Sequence, residues 1–240
     1  MSNRLFNEPI NDNTLRYDAD AVIVLSGGQD SVTCLYWAKE KFRKGYAINF
    51  RYGQRHGQET DYAKKVCEKL GVSFVSINIE ALMEVNQSAL LDKTSDIGKT
   101  GSKGLPSSFV PNRNQIFLTI AHSYAQKLGC DYLVTGVCQT DYSGYPDCRR
   151  EFIDSLEKTT NLGSDDHIKI ITPLMDLDKA DTFKLAEELG CLDVILKDTI
   201  TCYNGDETEN GWGKGCGECP SCKLRKNGYY EFINRGSQKD

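Results

Sequence analysis

Apolar and polar positions along the chain follow two alternating periods. Short apolar runs have the length and β-branched content of strands: "AVIVL" (21–25), "YAINFRY" (46–52), "SFVSINIE" (73–80), "DYLVTGV" (131–137) and "IKIITPL" (168–174). Between them lie stretches of helical period. One ends near Arg43, one runs from about Gly57 to Leu70, one is "RNQIFLTIAHSYAQKLG" (113–129), and one spans about Glu151 to Leu162. The segment from Ala81 to Ser108 is looser and rich in Gly, Ser and Lys. Leu-Gly closes three of the helical stretches, at Gly71, Gly129 and Gly190, where a left-handed C-cap is required. Strands alternating with crossover helices predict an α/β domain with a parallel sheet covered on both faces.

Composition adds limits. The 240 residues carry a net charge of −5 and are 39% hydrophobic, which fits one large domain with a small appendage. An acidic chain argues against a broad nucleic-acid surface. No apolar run approaches the roughly 20 residues of a membrane span, and the first residues lack a hydrophobic leader core, so a cytoplasmic protein is expected. There are ten cysteines. Six of them (Cys34, Cys67, Cys130, Cys138, Cys148, Cys191) are scattered and read as small buried hydrophobes.

The most informative turn is "SGGQDS", Ser26 to Ser31, directly after the first strand. Ligands of open α/β sheets bind at the carboxyl ends of strands. Gly27 and Gly28 let the backbone approach a ligand closely. The amides opening the next helix point at an anion. Ser26 and Ser31 offer hydroxyls, while Asp30 is available to hold Mg²⁺ or to cap the helix from a solvent-facing loop. The lysine of a Walker loop, which reaches the β- and γ-phosphates, is missing. A loop that grips those phosphates as a leaving pyrophosphate leaves the α-phosphorus open, which suits adenylation of a substrate oxygen.

The other four cysteines cluster in "TCYNGDETENGWGKGCGECPSCKLRKNGYY" (201–230), as Cys202 followed by Cys216, Cys219 and Cys222. Four thiolates match a closed tetrahedral zinc site, and a structural role is preferred because no position stays open. The same C-x₂-C-x₂-C spacing also occurs in iron–sulfur proteins. Lys214, Lys223, Arg225 and Lys226 are read as solvated charges that balance the thiolates.

"SGGQDS" resembles the SGGxDS signature of the PP-loop pyrophosphatases, which activate carboxyl or carbonyl oxygens with ATP. Four further segments narrow the resemblance: "NFRYGQRHGQE" (49–59), "LPSSFVPNRNQIFL" (105–118), "TGVCQTDYSGYPDCRREF" (135–152) and "TCYNG" (201–205). With the cysteines they resemble the 7-cyano-7-deazaguanine synthase (QueC) family of the queuosine pathway, from about Ala21 to Tyr230. The resemblance implies a Rossmann-like PP-loop fold, with an N-terminal extension (1–18), an ATP-binding domain (19–200) and a zinc-binding segment (201–240). It implies an ATP-dependent ligase that converts 7-carboxy-7-deazaguanine and ammonia into the nitrile, and a homodimer that does not bind nucleic acid.

For the site, the loop chemistry and the resemblance together nominate Ser26, Asp30 and Ser31 for catalysis. Leu25, Ser26, Gly27, Gly28, Gln29, Asp30 and Ser31, with Arg55 and His56, are nominated for ATP. Asp141 and Asp147 are candidates for the N–H donors of a guanine-like edge. Arg113 and Arg149 are candidates for the substrate carboxylate, which arginine meets in bidentate fashion. The four clustered cysteines align with the family's zinc ligands, so ATP, Mg²⁺ and Zn²⁺ are the expected cofactors. Two alternatives compete: a tRNA-modifying PP-loop thiolase or ligase, which usually carries an added basic domain, and a non-catalytic zinc-bearing interaction module, which the intact loop argues against.

Overall fold

The computed structural model describes residues 18–54, 57–80, 88–91, 104–140 and 144–237. Five parallel strands form the central sheet in the order β3-β2-β1-β4-β5. They are β1 (Asp20–Val24), β2 (Lys44–Arg51), β3 (Ser73–Asn78), β4 (Tyr132–Val134) and β5 (Lys169–Ile171). The chain winds outward through α1 (Gln29–Lys41) and α2 (Gln58–Leu70). It then returns through α3 (Arg113–Leu128) to place β4 on the other side of β1, with Ile23 opposite Val134. The order of strands therefore reverses between β1 and β4, and a crevice opens at their carboxyl ends.

Side-chain alternation along β1 divides the core in two. Ile23 faces a layer containing Val32 and Leu35 of α1 and Val66 of α2. Val22 faces the opposite layer, with Leu118 and Ala121 of α3 and Ile153 of α4 (Arg150–Ser164). Each buried Val, Leu or Ile among them contributes about 1.5–3 kcal/mol, so the sheet is anchored from both faces. Gly71 and Gly129 adopt the left-handed conformation that ends α2 and α3, and Gly190 has the same positive φ just beyond α5 (Lys179–Glu188).

After α5 come α6 (Leu192–Asp198), a small hairpin of β6 (Glu209–Asn210) and β7 (Gly213–Lys214), and α7 (Pro220–Ser237). The cysteine-bearing segment packs on the body through a third cluster, in which Tyr62 of α2 meets Ile200, Cys202 and Trp212. Tyr62 also donates to Glu207 at 2.6 Å and accepts from Lys214 at 3.0 Å. Farther along, α7 lies on α5: Tyr229 and Phe232 pack against Phe183, and a Cβ on Gly228 would lie 2.5 Å from the Lys179 stem. Two charges expected in solvent are packed in the structure. Arg225 is only 2% exposed and donates to the carbonyls of Trp212 and Ile195, and burial pushes its pKa down to about 10. Lys214 is half-buried over the Tyr62 ring.

Candidate active site and metal centre

The crevice between β1 and β4 holds a cavity whose floor is the Ser26–Ser31 loop. Gly27 has φ +98°, and a Cβ there would sit 2.1 Å from the Glu59 carbonyl oxygen, so only glycine lets α2 close on the loop. Ser31 Oγ donates to the Gly28 carbonyl (3.1 Å) and accepts from the amides of Ser26 (3.2 Å) and Gly27 (3.3 Å). Ser26 Oγ lies 3.0 Å from Ser31 Oγ and accepts from the Gly28 amide. The serines therefore tie the loop into a compact ring at the start of α1, where the helix dipole favours an anion. Gln29 Nε2 is buried there without a hydrogen-bond partner among the described residues.

Asp30 is half-buried and paired rather than free in solvent. Its two carboxylate oxygens each accept from Lys179 Nζ at 2.9 Å, and Lys179 is only 8% exposed. Lys179 is the first residue of α5, and Asp178 caps that helix by accepting from the Asp181 amide at 2.8 Å. Across the loop, the Ile200 amide donates to the Gly27 carbonyl (3.3 Å), and the Thr201 methyl would be 3.0 Å from a Cβ on Gly28.

The far wall is aromatic and cationic. The Arg113 guanidinium lies 6.0 Å from the Tyr52 ring and 5.8 Å from the Tyr145 ring, and Phe117 and Tyr203 complete the wall. Burial opposes the arginine's charge, but Tyr52, Tyr145 and Asp147 more than restore it, and its pKa is pushed up. Tyr145 is fixed from behind by a 2.6 Å hydrogen bond with Ser108. Glu59, in the first turn of α2, also lines the cavity. Burial pushes its pKa up to about 7, against the lowering influence of Arg113.

Beside this cavity the sulfurs of Cys202, Cys216, Cys219 and Cys222 all lie within 4.8 Å of one another. Four sulfurs ~2.3 Å from one ion stand roughly 3.8 Å apart in a tetrahedron. Cys216 and Cys222 are 3.9 Å apart, close to that spacing. Gly215 (φ +149°) leaves the room, since a Cβ there would lie 2.5 Å from Cys222 Sγ. Cys216 Sγ accepts from the Cys219 amide (3.4 Å) and the Glu218 amide (3.5 Å), as a thiolate ligand does. Hydrogen bonds from the Cys219 and Cys222 thiols push the Cys202 pKa down and hold their own up, so Cys202 is the sulfur that ionises most readily.

The sequence model of the family described as "Queuosine biosynthesis protein QueC" matches residues 20–233. The chain belongs to the QueC family. Its similar relatives include 7-cyano-7-deazaguanine synthase of Helicobacter pylori strain HPAG1, 47% identical, covering 88% of this chain and 94% of the relative. The enzyme of the same name from Phocaeicola vulgatus is 46% identical over 92% of this chain and 98% of its own. That of Wolinella succinogenes is 48% identical over 88% and 93%. Among the described residues no helix is long and apolar enough to cross a membrane.

In this QueC-family chain the cavity gathers Leu25, Ser26, Gly28, Gln29, Asp30 and Ser31, with Gly27 at the base of the loop and Arg113 opposite. Asp147 is outside the cavity lining: its Oδ2 accepts from the Asn114 amide (3.1 Å) and so anchors the N-terminus of α3, which carries Arg113. Arg149 is exposed at the start of α4. Arg55, His56 and Asp141 lie outside the described residues. Lys179 and Glu59 were not expected from the sequence. Lys179 had a readable signal, because a cation in a helix's first turn opposes the dipole and needs an anionic neighbour. Glu59 had none, since an acid at that position is ordinary helix decoration.

Proposed function

We propose that this protein uses ATP to convert 7-carboxy-7-deazaguanine and ammonia into 7-cyano-7-deazaguanine. The observation that carries this reading is one cavity holding both a lysine-completed pyrophosphate loop and, opposite it, an arginine on an aromatic wall. The loop amides, the Ser26 and Ser31 hydroxyls and the Lys179 ammonium grip the β- and γ-phosphates. The α-phosphorus then faces the substrate. Arg113 meets the substrate carboxylate, and the rings of Tyr52, Phe117, Tyr145 and Tyr203 cover the flat base. A carboxylate oxygen is a poor leaving group, and its transfer to the α-phosphorus replaces it with AMP. Ammonia displaces AMP to form the amide. A second ATP then adenylates the amide oxygen, which leaves on AMP as the nitrogen gives up its last proton and the nitrile forms.

Mg²⁺ brought in with ATP would meet Asp30, the loop's own carboxylate, only by sharing its oxygens with Lys179, and would supply neutralising charge to the pyrophosphate. Zinc fits the four thiolates of Cys202, Cys216, Cys219 and Cys222, which close its coordination and leave it a structural role. The family resemblance further supports a cytoplasmic homodimer acting on small molecules, and the net charge of −5 favours the free base over tRNA. Incubation with ATP, ammonium and the carboxy-deazaguanine tests the reading by mass spectrometry and phosphorus NMR. The nitrile, AMP and pyrophosphate are expected. Orthophosphate as the only phosphorus product, or no nitrile, would overturn it.

A further inference from the structure

Glu59 is a carboxylate in a cavity otherwise built for anions. The loop amides, Lys179 and Arg113 all favour negative ligands, yet Glu59 lines the same cavity. Among the described residues its carboxylate has neither a hydrogen-bond donor nor an ion-pair partner. Arg113 acts on it only through space. Asp30, the other carboxylate there, spends both oxygens on Lys179. A half-buried carboxylate with no such partner among the described residues is open to a cation that arrives with the reactants.

Position indicates which cation. The Glu59 backbone packs on Gly27, at the base of the phosphate loop, while its side chain feels the charge of Arg113. On the function proposed above, the substrate carboxylate and the α-phosphorus meet in this cavity, between the loop and Arg113, and Glu59 lines it too. The cation needed at that junction is the nitrogen donor, which near neutral pH is ammonium and has to shed protons before it can attack. We propose that Glu59 binds the incoming ammonium beside the acyl adenylate and accepts the proton whose loss frees the nitrogen lone pair.

This inference rests on the carboxylate-activating function proposed above. Ammonium gives one proton to Glu59, and the freed pair attacks the carbonyl carbon. The carbon–oxygen bond to phosphate breaks, and its electrons leave on AMP. The nitrogen loses a second proton to water, so adenylate and ammonium become amide, AMP and two protons. Adenylation itself does not need Glu59.

The test uses full-length Glu59→Gln and Glu59→Asp. Substrate-dependent exchange of labelled pyrophosphate into ATP reads adenylation, and amide or nitrile formation reads nitrogen entry. In Glu59→Gln exchange should persist to within a small factor, while nitrogen entry with ammonium falls by about 100-fold or more, the usual scale of proton-transfer catalysis. Hydroxylamine is uncharged at neutral pH, so it should restore product formation, as the hydroxamate. Glu59→Asp should keep part of the ammonium activity. Loss of exchange together with nitrogen entry, or an altered Mg²⁺ requirement for exchange, would overturn the proposal in favour of a role in binding ATP or its metal. Hydroxylamine performing no better than ammonium, or Glu59→Gln matching wild type, would also overturn it. Absence of substrate-dependent exchange in the wild type would instead overturn the function on which it rests.

Discussion

Lys179 Nζ lies 2.9 Å from both carboxylate oxygens of Asp30, joining the phosphate loop to a helix 149 residues downstream. A lysine that the loop's own sequence lacks stands beside it from the N-terminus of α5, where it is nearly enclosed. The two partners are not equivalent, because the Lys179 side chain is 9% exposed whereas that of Asp30 is 31% exposed. Asp30→Ala takes this carboxylate from the more deeply buried charge and should cost roughly 3 kcal/mol, the low end for breaking a buried pair. Lys179→Met should cost less stability but lower kcat by about 10²–10³, as removal of one transition-state donor does. Urea unfolding and pyrophosphate release measure the two effects separately.

Asp178 should control both the stability and the placement of that lysine. Partial burial raises its carboxyl pKa, but hydrogen bonds from Arg235 and from the amides of Asp181 and Ala180 win, and the pKa is lowered. Its contribution is therefore full above the unfolded value of about 3.9 and is lost as pH falls through the lower folded value. Asp178→Ala should cost about 1 kcal/mol at pH 7, as lost N-caps do, and less in acid. Urea midpoints at the two pH values check this. Equal losses at both would contradict the assignment.

Arg113 is expected to define the substrate's acid group. Lysine keeps the charge but loses the planar fork between Tyr52 and Tyr145. Arg113→Lys should raise KM for the carboxy-deazaguanine by about 10- to 100-fold, on the 1.5–3 kcal/mol scale of hydrogen bonds to charged groups. KM for ATP should change little, and a parallel rise in both would place Arg113 on the nucleotide instead.

Removing the metal should be felt in the ATP loop. Ile200 and Thr201 rest on Gly27 and Gly28 immediately before Cys202. One zinc per chain is expected by elemental analysis, with an apparent binding energy of roughly 10–16 kcal/mol. Chelation or Cys219→Ser should weaken ATP binding and expose residues 211–217 to protease, with the far-UV helix signal largely retained. Iron with acid-labile sulfide would exclude zinc, and complete unfolding would show that the metal supports the whole fold.

The elements that cross-contact the loop were the least legible in the sequence. Strands and helices through β5 follow from period and from the glycines at 71, 129 and 190, since each buries a full face. The phosphate loop and the cysteines were legible because their chemistry is local in sequence. Arg225 read as a surface charge within a basic stretch, and only packing against Trp212 and Ile195 buries it. Asp147 read as a substrate contact, although its Oδ2 serves the start of α3, 33 residues away. Such roles depend on which distant backbone groups lack partners, and a linear pattern does not carry that information.

The hydrogen bond from the Ile200 amide to the Gly27 carbonyl also orders events during synthesis. The five strands of the central sheet end at residue 171, so the whole sheet can form once that residue has left the ribosome's exit tunnel. The nucleotide loop would still lack Lys179, Ile200 and Thr201. Long-range contacts of this kind close late because the intervening chain must first be ordered. A chain ending before residue 200 should therefore be compact yet unable to retain ATP, so nucleotide binding is acquired only once Ile200 and Thr201 have been added.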